Sequence, residues 1–80
     1  MQLRDRTSEV VMERTFVSSS NIRSIGYDTG SMILEIEFNS GAVYQYQGVP
    51  QAEYDALLNS GSKGTHFNAN IKKRFPYVKL

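Results

Sequence analysis

The sequence predicts an α+β domain, in which a three-stranded antiparallel β-meander is packed on one face by two C-terminal helices. Over residues 32–38, apolar residues alternate with Glu35 and Glu37, which is typical of a half-buried strand. Asx-(Ser/Thr)-Gly turns at residues 28–30 and 39–41 join this strand to one strand on either side. Apolar residues then recur at helical spacing in the second half of the chain. A short fourth strand near Phe16 is left open.

The 80-residue chain has the length of one small domain. It contains no cysteine, which excludes disulfides and thiolate metal sites. No apolar run approaches the length of a signal peptide or a membrane span, so we expect a cytoplasmic protein without a membrane partner. Residues 1–11 mix charges without a clear period, so we expect them to be a loosely ordered N-terminal extension and residues 12–80 to form the domain.

The length of each turn decides which side chains share a face of the sheet. A three-residue loop closed by a left-handed glycine places Tyr44 opposite Ile36, with Tyr46 on the same face. The same loop in the first hairpin places Ile22 opposite Ile36. The two tyrosines are then core residues whose hydroxyls reach the rim. A two-residue loop at residues 40–41 would instead place both tyrosines on the opposite face, where they could stack on bases; we favour the first register.

Two helices are predicted after the sheet. Pro50 suits the first helical position, since its φ is preset and its missing N–H has no partner there. The apolar stripe of this first helix consists of Tyr54, Leu57 and Leu58. The second helix is expected over residues 65–74, with basic residues in its last turn and Pro76 after it. Its apolar residues are spaced by four: Phe67, Ile71 and Phe75.

The face of the sheet opposite the helices carries apolar residues in this register. Ile25 lies opposite Ile33 there, and Tyr27 and Val43 lie nearby. An exposed apolar patch is typical of a surface that meets another protein, unless residues 16–17 fold back to cover it. These four residues are therefore the candidate contacts of a protein partner or of a second copy of the chain.

Charge is segregated along the chain, although the net charge is only +1. Residues 28–55 contain five acidic residues and no basic one, whereas residues 56–80 contain five basic residues and no acidic one. A basic segment can bind the phosphates of a nucleic acid, but such a cluster is more often the solvated face of a last helix. The candidate nucleic-acid contacts are Lys63, Gly64, Lys72, Lys73 and Arg74.

Residues 61–64 read Gly-Ser-Lys-Gly and lie between the two predicted helices. A GXXG loop between helices is the device with which KH domains hold a nucleic-acid backbone, and free N–H groups at a helix start attract phosphate. The structural alternative is that Gly61 caps the first helix and Gly64 permits the turn into the second. Both interpretations remain open from the sequence.

No catalytic or metal-binding constellation is visible, so we expect no enzymatic activity and no cofactor. Residues 28–31 spell Asp-Thr-Gly-Ser, the signature of aspartic proteases, but they lie between two strands as a turn in a chain that is short for a protease lobe. His66 is the single histidine, and no second imidazole or thiolate is available for a metal. We interpret it as a surface residue near a helix start.

One further set of residues carries a family resemblance: Val17–Ile22, Ile25–Asp28, Tyr44–Tyr46, Val49–Pro50, Tyr54, Leu57, Ser62–Gly64, Phe67–Asn68 and Ile71. This pattern covers residues 14–75 and resembles the KTSC domain. That family is named for a module at the C-terminus of some lysyl-tRNA synthetases, and it also occurs as small single-domain bacterial proteins. The resemblance implies RNA binding, which has been suggested from the synthetase context.

The sequence therefore predicts a non-enzymatic binding module with two open partner classes. The first is RNA, bound weakly and with strong salt dependence through the basic helix and the GSKG segment. The second is a protein or a second copy of the chain, bound through the patch of Ile25, Tyr27, Ile33 and Val43.

Overall fold

The computed structural model describes residues 14–80, so the extension expected over residues 1–11 lies outside the described residues. The described elements are β1 (Arg14–Phe16), β2 (Ile22–Asp28), β3 (Ile33–Phe38), β4 (Val43–Tyr46), α1 (Gln51–Asn59), α2 (Lys63–Asn70) and β5 (Tyr77–Lys79). The strands form one antiparallel sheet in the order β1-β2-β3-β4-β5. The predicted α+β meander with two helices is confirmed, and it is extended by an edge strand on each side.

The β3–β4 hairpin has the predicted register. Ile36 pairs with Tyr44 and Leu34 pairs with Tyr46. Gly41 has a φ of 96°, the left-handed conformation that closes a three-residue loop. Tyr44 and Tyr46 therefore lie on the inner face of the sheet, the face that carries the core.

The β2–β3 turn differs from the prediction. Asp28 pairs with Ile33, so the turn between them has four residues rather than three. Its left-handed residue is Met32, with a φ of 57°, and not Gly30. A left-handed conformation is uncommon for a side chain of this size, so the sequence pattern favoured the glycine.

This longer turn changes which residues of β2 face inward. Ile36 pairs with Ile25 rather than with Ile22, which is a shift of three residues. Because side chains alternate with a period of two, an odd shift reverses the two faces of the strand. A register irregularity between Ile22 and Ser24 returns Ile22 to the inner face, where it is fully buried.

The core lies between the inner face of the sheet and the two helices. Its buried apolar residues are Ile22, Ile25, Leu34, Ile36, Tyr46, Val49, Leu57, Phe67 and Ile71. α1 contributes Leu57 and α2 contributes Phe67, each from one side of its helix. Full burial of a large apolar side chain stabilises a fold by about 1.5–3 kcal/mol, so this cluster is the largest favourable term in folding.

The second helix begins and ends earlier than the sequence predicts. α2 starts at Lys63, with Ser62 as its N-cap residue, and it stops at Asn70. The side-chain amide of Asn70 donates to the carbonyl of His66 at 3.2 Å, which satisfies one of the carbonyls at the helix end. Residues 71–74 then form a turn. Neither helix of the described chain has the length and apolar character needed to cross a bilayer.

Strand β5 is absent from the prediction, which took Pro76 as the end of the last element. Tyr77 pairs with Tyr46 and Lys79 pairs with Tyr44. The carbonyl of Pro76 accepts a hydrogen bond from the N–H of Gln47 at 2.9 Å, which fixes the start of the ladder. A proline is tolerated at the beginning of an edge strand, because the missing N–H interrupts no inner ladder.

The outer face of the sheet carries polar cross-strand contacts. Glu35 is buried there, 3.2 Å from the Nε of Arg14, and it accepts a hydrogen bond from Gln45 at 2.8 Å. Glu37 accepts from the hydroxyl of Ser24 at 2.8 Å. Because a buried carboxylate is stable only when it is paired, these contacts stabilise a face that neither helix covers.

Candidate functional site

An open groove of about 770 Å³ lies between the inner face of the sheet and the end of α2. This volume falls within the roughly 300–1,000 Å³ of ligand sites. Five aromatic side chains line it: Phe38, Tyr44, Tyr46, Phe67 and Tyr77. Lys72 and Lys73 line it too, together with the polar residues Asn21, Ser40 and Asn68. None of the residues that line it is acidic. We call it the aromatic groove.

The rings converge because β4 and β5 present them from the same face of the sheet. The ring of Tyr77 lies 5.5 Å from that of Tyr46 and 5.4 Å from that of Tyr44, between centroids. Phe67 of α2 meets Tyr46 edge-on at 5.3 Å and Phe38 at 5.5 Å. Aromatic pairs of this kind contribute about 0.5–1.5 kcal/mol beyond their burial. The aromatic groove is therefore lined by rings that pack against one another across β3, β4, β5 and α2.

The three tyrosines differ in exposure. Tyr46 is 3 % exposed. This burial, with smaller contributions from Tyr44 and Tyr77, raises the pKa of Tyr46 to about 12. Tyr44 is half-buried, and Tyr77 is 55 % exposed. Tyr46 is thus a structural residue, as predicted, whereas Tyr44 and Tyr77 present ring surface to the solvent in the groove.

Lys72 and Lys73 lie in the turn that follows α2. Ile71, which is fully buried, anchors the start of this turn, and the N–H of Lys72 donates to the carbonyl of Phe67 at 3.0 Å. Both lysine side chains are exposed, and neither forms an ion pair with a residue of the described part of the chain. Two exposed positive charges therefore line the same groove as the exposed rings.

Lys63 and Gly64 lie away from the aromatic groove, in the first turn of α2. The Nζ of Lys63 donates to the carbonyl of Ser60 at 3.2 Å. Lys63 lines a second, polar groove of about 320 Å³ together with residues 18–20 and 61–62. Gly64 is buried, and a Cβ at this position would lie 3.2 Å from the Nδ2 of Asn21. Gly64 thus permits the close approach of Asn21, and the GSKG segment begins a helix rather than forming an open loop.

Arg74 contacts α1. Its Nη1 lies 3.0 Å from a carboxylate oxygen of Glu53, and it also donates to the carbonyl of Asn70 at 3.2 Å. The guanidinium carbon lies 5.1 Å from the ring centre of Phe75. The five predicted nucleic-acid contacts are thus divided among three places. The structure brings together only Lys72 and Lys73 in the aromatic groove.

His66 packs between the two helices. Its side chain is 20 % exposed, and its Nε2 lies 3.7 Å from a carboxylate oxygen of Glu53. Its Nδ1 lies 3.4 Å from the side-chain amide nitrogen of Asn70. Across residues 14–80, no three His, Cys, Asp or Glu residues come together in a way that could hold a metal ion.

The predicted protein-binding patch is not assembled. Ile25 is fully buried in the core. Tyr27 lies on the same inner face, stacked on Tyr54 with ring centroids 4.9 Å apart. Ile33 and Val43 are half-buried on the outer face. The expectation of one exposed face is wrong, because the shifted register of β2 turns Ile25 and Tyr27 inward.

Tyr77 is the residue of the groove that the sequence prediction missed. Residues 77–80 read Tyr-Val-Lys-Leu, an alternation that is typical of a strand. Four residues after a proline are too short a pattern to predict a strand from the sequence. They form a strand here because they pair with β4. The expected second helix also ended at this point, which left no element to position Tyr77.

The family model of the KTSC domain matches residues 18–75. The fold is similar to the crystal structure of a KTSC domain protein from Yersinia pestis, with a TM-score of 0.84 and 43 % identity, covering 88 % of this chain and 99 % of that one. An uncharacterized protein of Stutzerimonas stutzeri is 49 % identical over 61 residues, which are 76 % of this chain and 86 % of that protein.

A longer relative contains a similar segment. A lysine–tRNA ligase of Nostoc punctiforme is 43 % identical over 61 residues, which are 76 % of this chain but only 11 % of the ligase. The stretch matched by the family model includes Lys72 and Lys73 and most of the aromatic groove, and β1 and β5 lie outside it.

Proposed function

The chain belongs to the KTSC domain family, and we propose that it is a non-enzymatic module that binds RNA through the aromatic groove. One observation carries the proposal: Lys72 and Lys73 line the same groove as the half-exposed rings of Tyr44 and Tyr77. Lysines neutralise backbone phosphates, and aromatic rings accept bases, so the two together match the chemistry of a nucleic acid.

The relationship to a lysine–tRNA ligase supports RNA as the kind of nucleic acid. The name of that relative identifies tRNA as its substrate, and the shared segment is a small part of it, 11 % of its length. A segment of this size is more typical of an accessory binding module than of a catalytic centre. The activity of the whole ligase is accordingly not part of the proposal.

The charge of the groove sets the expected strength of binding. Two lysines provide few phosphate contacts, and the net charge of the whole chain is only +1. Each phosphate contact contributes about 0.7–0.9 to the slope of log affinity against log salt concentration. We therefore expect weak binding at low salt that declines as salt is added, with little dependence on sequence.

Protein binding through Ile25, Tyr27, Ile33 and Val43 is not proposed. Ile25 and Tyr27 pack on the inner face of the sheet, so these four residues offer no common surface to a partner.

The test is a fluorescence-anisotropy titration of a labelled RNA hairpin at low and at moderate salt. The parent chain is compared with the double variant Lys72→Glu/Lys73→Glu, and the single variant Lys73→Glu is compared with Lys63→Glu as its matched control. Lys63→Glu makes the same change of charge as Lys73→Glu, at a position outside the aromatic groove. We expect the double variant to bind severalfold more weakly than the parent, and the control to bind nearly as well as the parent.

Two results would overturn the proposal. The first is a parent chain that binds neither the hairpin nor a single-stranded RNA at low salt. The second is a double variant that binds as tightly as the parent. A loss confined to Lys63→Glu would move the binding site to the polar groove at the start of α2 and would reject the aromatic groove.

A further inference from the structure

The ring of Tyr77 is the most exposed of the five aromatic rings that line the aromatic groove. It is 55 % exposed, although its partners Tyr44 and Tyr46 lie within 5.4 and 5.5 Å between ring centroids. Its plane is tilted by 58° from Tyr44 and by 40° from Tyr46, so these rings do not cover it face to face. Tyr77 therefore offers a flat, open aromatic surface that is held in place on one side.

The position of this surface is fixed by backbone pairing. Tyr77 pairs with Tyr46 across the ladder between β4 and β5. The backbone N–H of Gln47 donates a hydrogen bond to the carbonyl of Pro76, the residue before Tyr77. Lys79, two residues further along β5, pairs with Tyr44 on the same face of the sheet. A third positive charge thus follows the ring along the strand, beyond the two lysines that line the aromatic groove.

A ring among lysines distinguishes between two forms of RNA. In an A-form duplex the bases are stacked inside the helix, and a side chain reaches only phosphates, 2′-hydroxyls and the shallow groove. An unpaired nucleotide can turn its base out onto an aromatic ring while its phosphates stay on neighbouring lysines. Lysines alone could bind the phosphates of either form, but only an unpaired nucleotide can stack its base on the exposed ring.

We propose that the aromatic groove takes single-stranded RNA, with an unpaired base stacked on Tyr77 and the flanking phosphates on Lys72 and Lys73. This inference rests on the proposed function and adds the form of RNA and the residue that receives the base. Asn21, Ser40 and Asn68, which also line the groove, are the polar side chains available to the edge of the base.

The experiment compares labelled single-stranded oligouridine and oligoadenosine with a blunt RNA duplex of equal length at the same low salt. The parent chain is measured alongside Tyr77→Phe, which keeps a flat ring, and Tyr77→Leu, which keeps apolar bulk without one. Phe16→Leu is the matched control, because Phe16 is 75 % exposed on β1 and does not line the aromatic groove. Amide spectra of Val78 and Lys79 in each variant report whether β5 stays paired.

We expect the single strands to bind severalfold more tightly than the duplex. Tyr77→Leu should lose roughly 5- to 160-fold of single-strand affinity, which corresponds to the range for removal of a stacking ring. Its duplex affinity should be unchanged, and Tyr77→Phe and Phe16→Leu should bind both ligands like the parent.

Three results would overturn the inference while leaving the proposed function standing. They are equal or tighter binding of the duplex, a Tyr77→Leu variant with intact β5 that binds single strands like the parent, and displacement of the oligonucleotide by an equal concentration of adenosine monophosphate. Polyglutamate that binds as tightly as RNA, with no dependence on Tyr77, would show that the site binds any acidic polymer. That result would reject both the single-strand inference and the proposed RNA-binding function. Failure of every RNA to bind would remove the proposed function itself.

Discussion

Arg74 and Glu53 form an ion pair of 3.0 Å that joins the turn after α2 to helix α1. Arg74 directly follows Lys72 and Lys73 in the sequence, yet those two residues line the aromatic groove and Arg74 does not. The pair is partly open to water, since the side chain of Arg74 is 54 % exposed and that of Glu53 is 21 % exposed. One basic run thus divides into an arginine that is paired with α1 and two lysines that line the aromatic groove.

Replacing Arg74 by glutamine should therefore separate stability from binding. Exposed ion pairs contribute less than about 1 kcal/mol, so Arg74→Gln should lower the free energy of unfolding by no more than that. Its RNA affinity should fall less than that of Lys73→Gln, which removes the same charge from the groove. Urea melts and anisotropy titrations of both variants check this. An equal loss of RNA affinity in Arg74→Gln and Lys73→Gln would contradict the conclusion that Arg74 lies outside the binding site.

Burial of Tyr46 predicts a loss of stability at alkaline pH. Its pKa is raised from the ordinary 10.0 to about 12 in the folded chain, chiefly by burial. The folded state then holds the phenolic proton more tightly than the unfolded state does. The stabilising contribution is complete below pH 10.0 and is lost as the pH rises to about 12.

The measurement is a set of urea melts at pH values below and inside this window, for the parent and for Tyr46→Phe. The parent should lose stability more steeply with pH than the variant, because phenylalanine has no proton to release. Parallel pH profiles for the two proteins would show that Tyr46 ionises normally in the folded state.

The contact of Gly64 with Asn21 predicts that their substitutions are coupled. Alanine is favoured over glycine in a helix by up to about 1 kcal/mol, but here its Cβ would lie 3.2 Å from the Nδ2 of Asn21. The two effects oppose each other in the parent. In an Asn21→Ala background the close contact is absent, so Gly64→Ala should be more favourable there.

A double-mutant cycle measured by denaturant melts gives the coupling directly. Effects of Gly64→Ala that agree within roughly 0.3–0.5 kcal/mol in the two backgrounds would mean that the residues are independent, and the close approach would not limit this position.

Each groove lysine should contribute one phosphate contact to the salt dependence of RNA binding. Lys73→Gln is expected to reduce the slope of log affinity against log salt by about 0.7 for a single strand. Arg23→Gln is the control, because Arg23 is exposed on β2 and does not line the aromatic groove. An unchanged slope for Lys73→Gln, or an equal change for Arg23→Gln, would exclude a specific contact by Lys73.

The fold was predictable where local chemistry determines geometry. Gly41 takes the left-handed conformation that its turn needs, so the pairing of β3 with β4 and the inward position of Tyr44 follow from the sequence. The first hairpin was not predictable in the same way, because Met32 rather than Gly30 is left-handed there. The family resemblance is confirmed, and it covers the part of the chain in which these patterns are strongest.

The candidate site was predictable in its charges but not in its assembly. The sequence shows the basic residues from Lys63 to Arg74. It does not show which of them contact another residue and which line the aromatic groove, because those contacts form only in the fold. Ser60 holds Lys63, and Glu53 holds Arg74. Tyr77 enters the groove only through long-range pairing with β4, and no local pattern specifies that pairing.

The most direct test of the account is a two-dimensional amide spectrum of the isotopically labelled chain, recorded while single-stranded RNA is added at low salt. We expect shifts that are concentrated at Tyr44, Asn68, Lys72, Lys73 and Tyr77, with residues of the outer face such as Glu35 and Gln45 unchanged. Shifts confined to residues 18–20 and 61–63, shifts on the outer face, or a spectrum that does not change at all would contradict RNA binding at the aromatic groove.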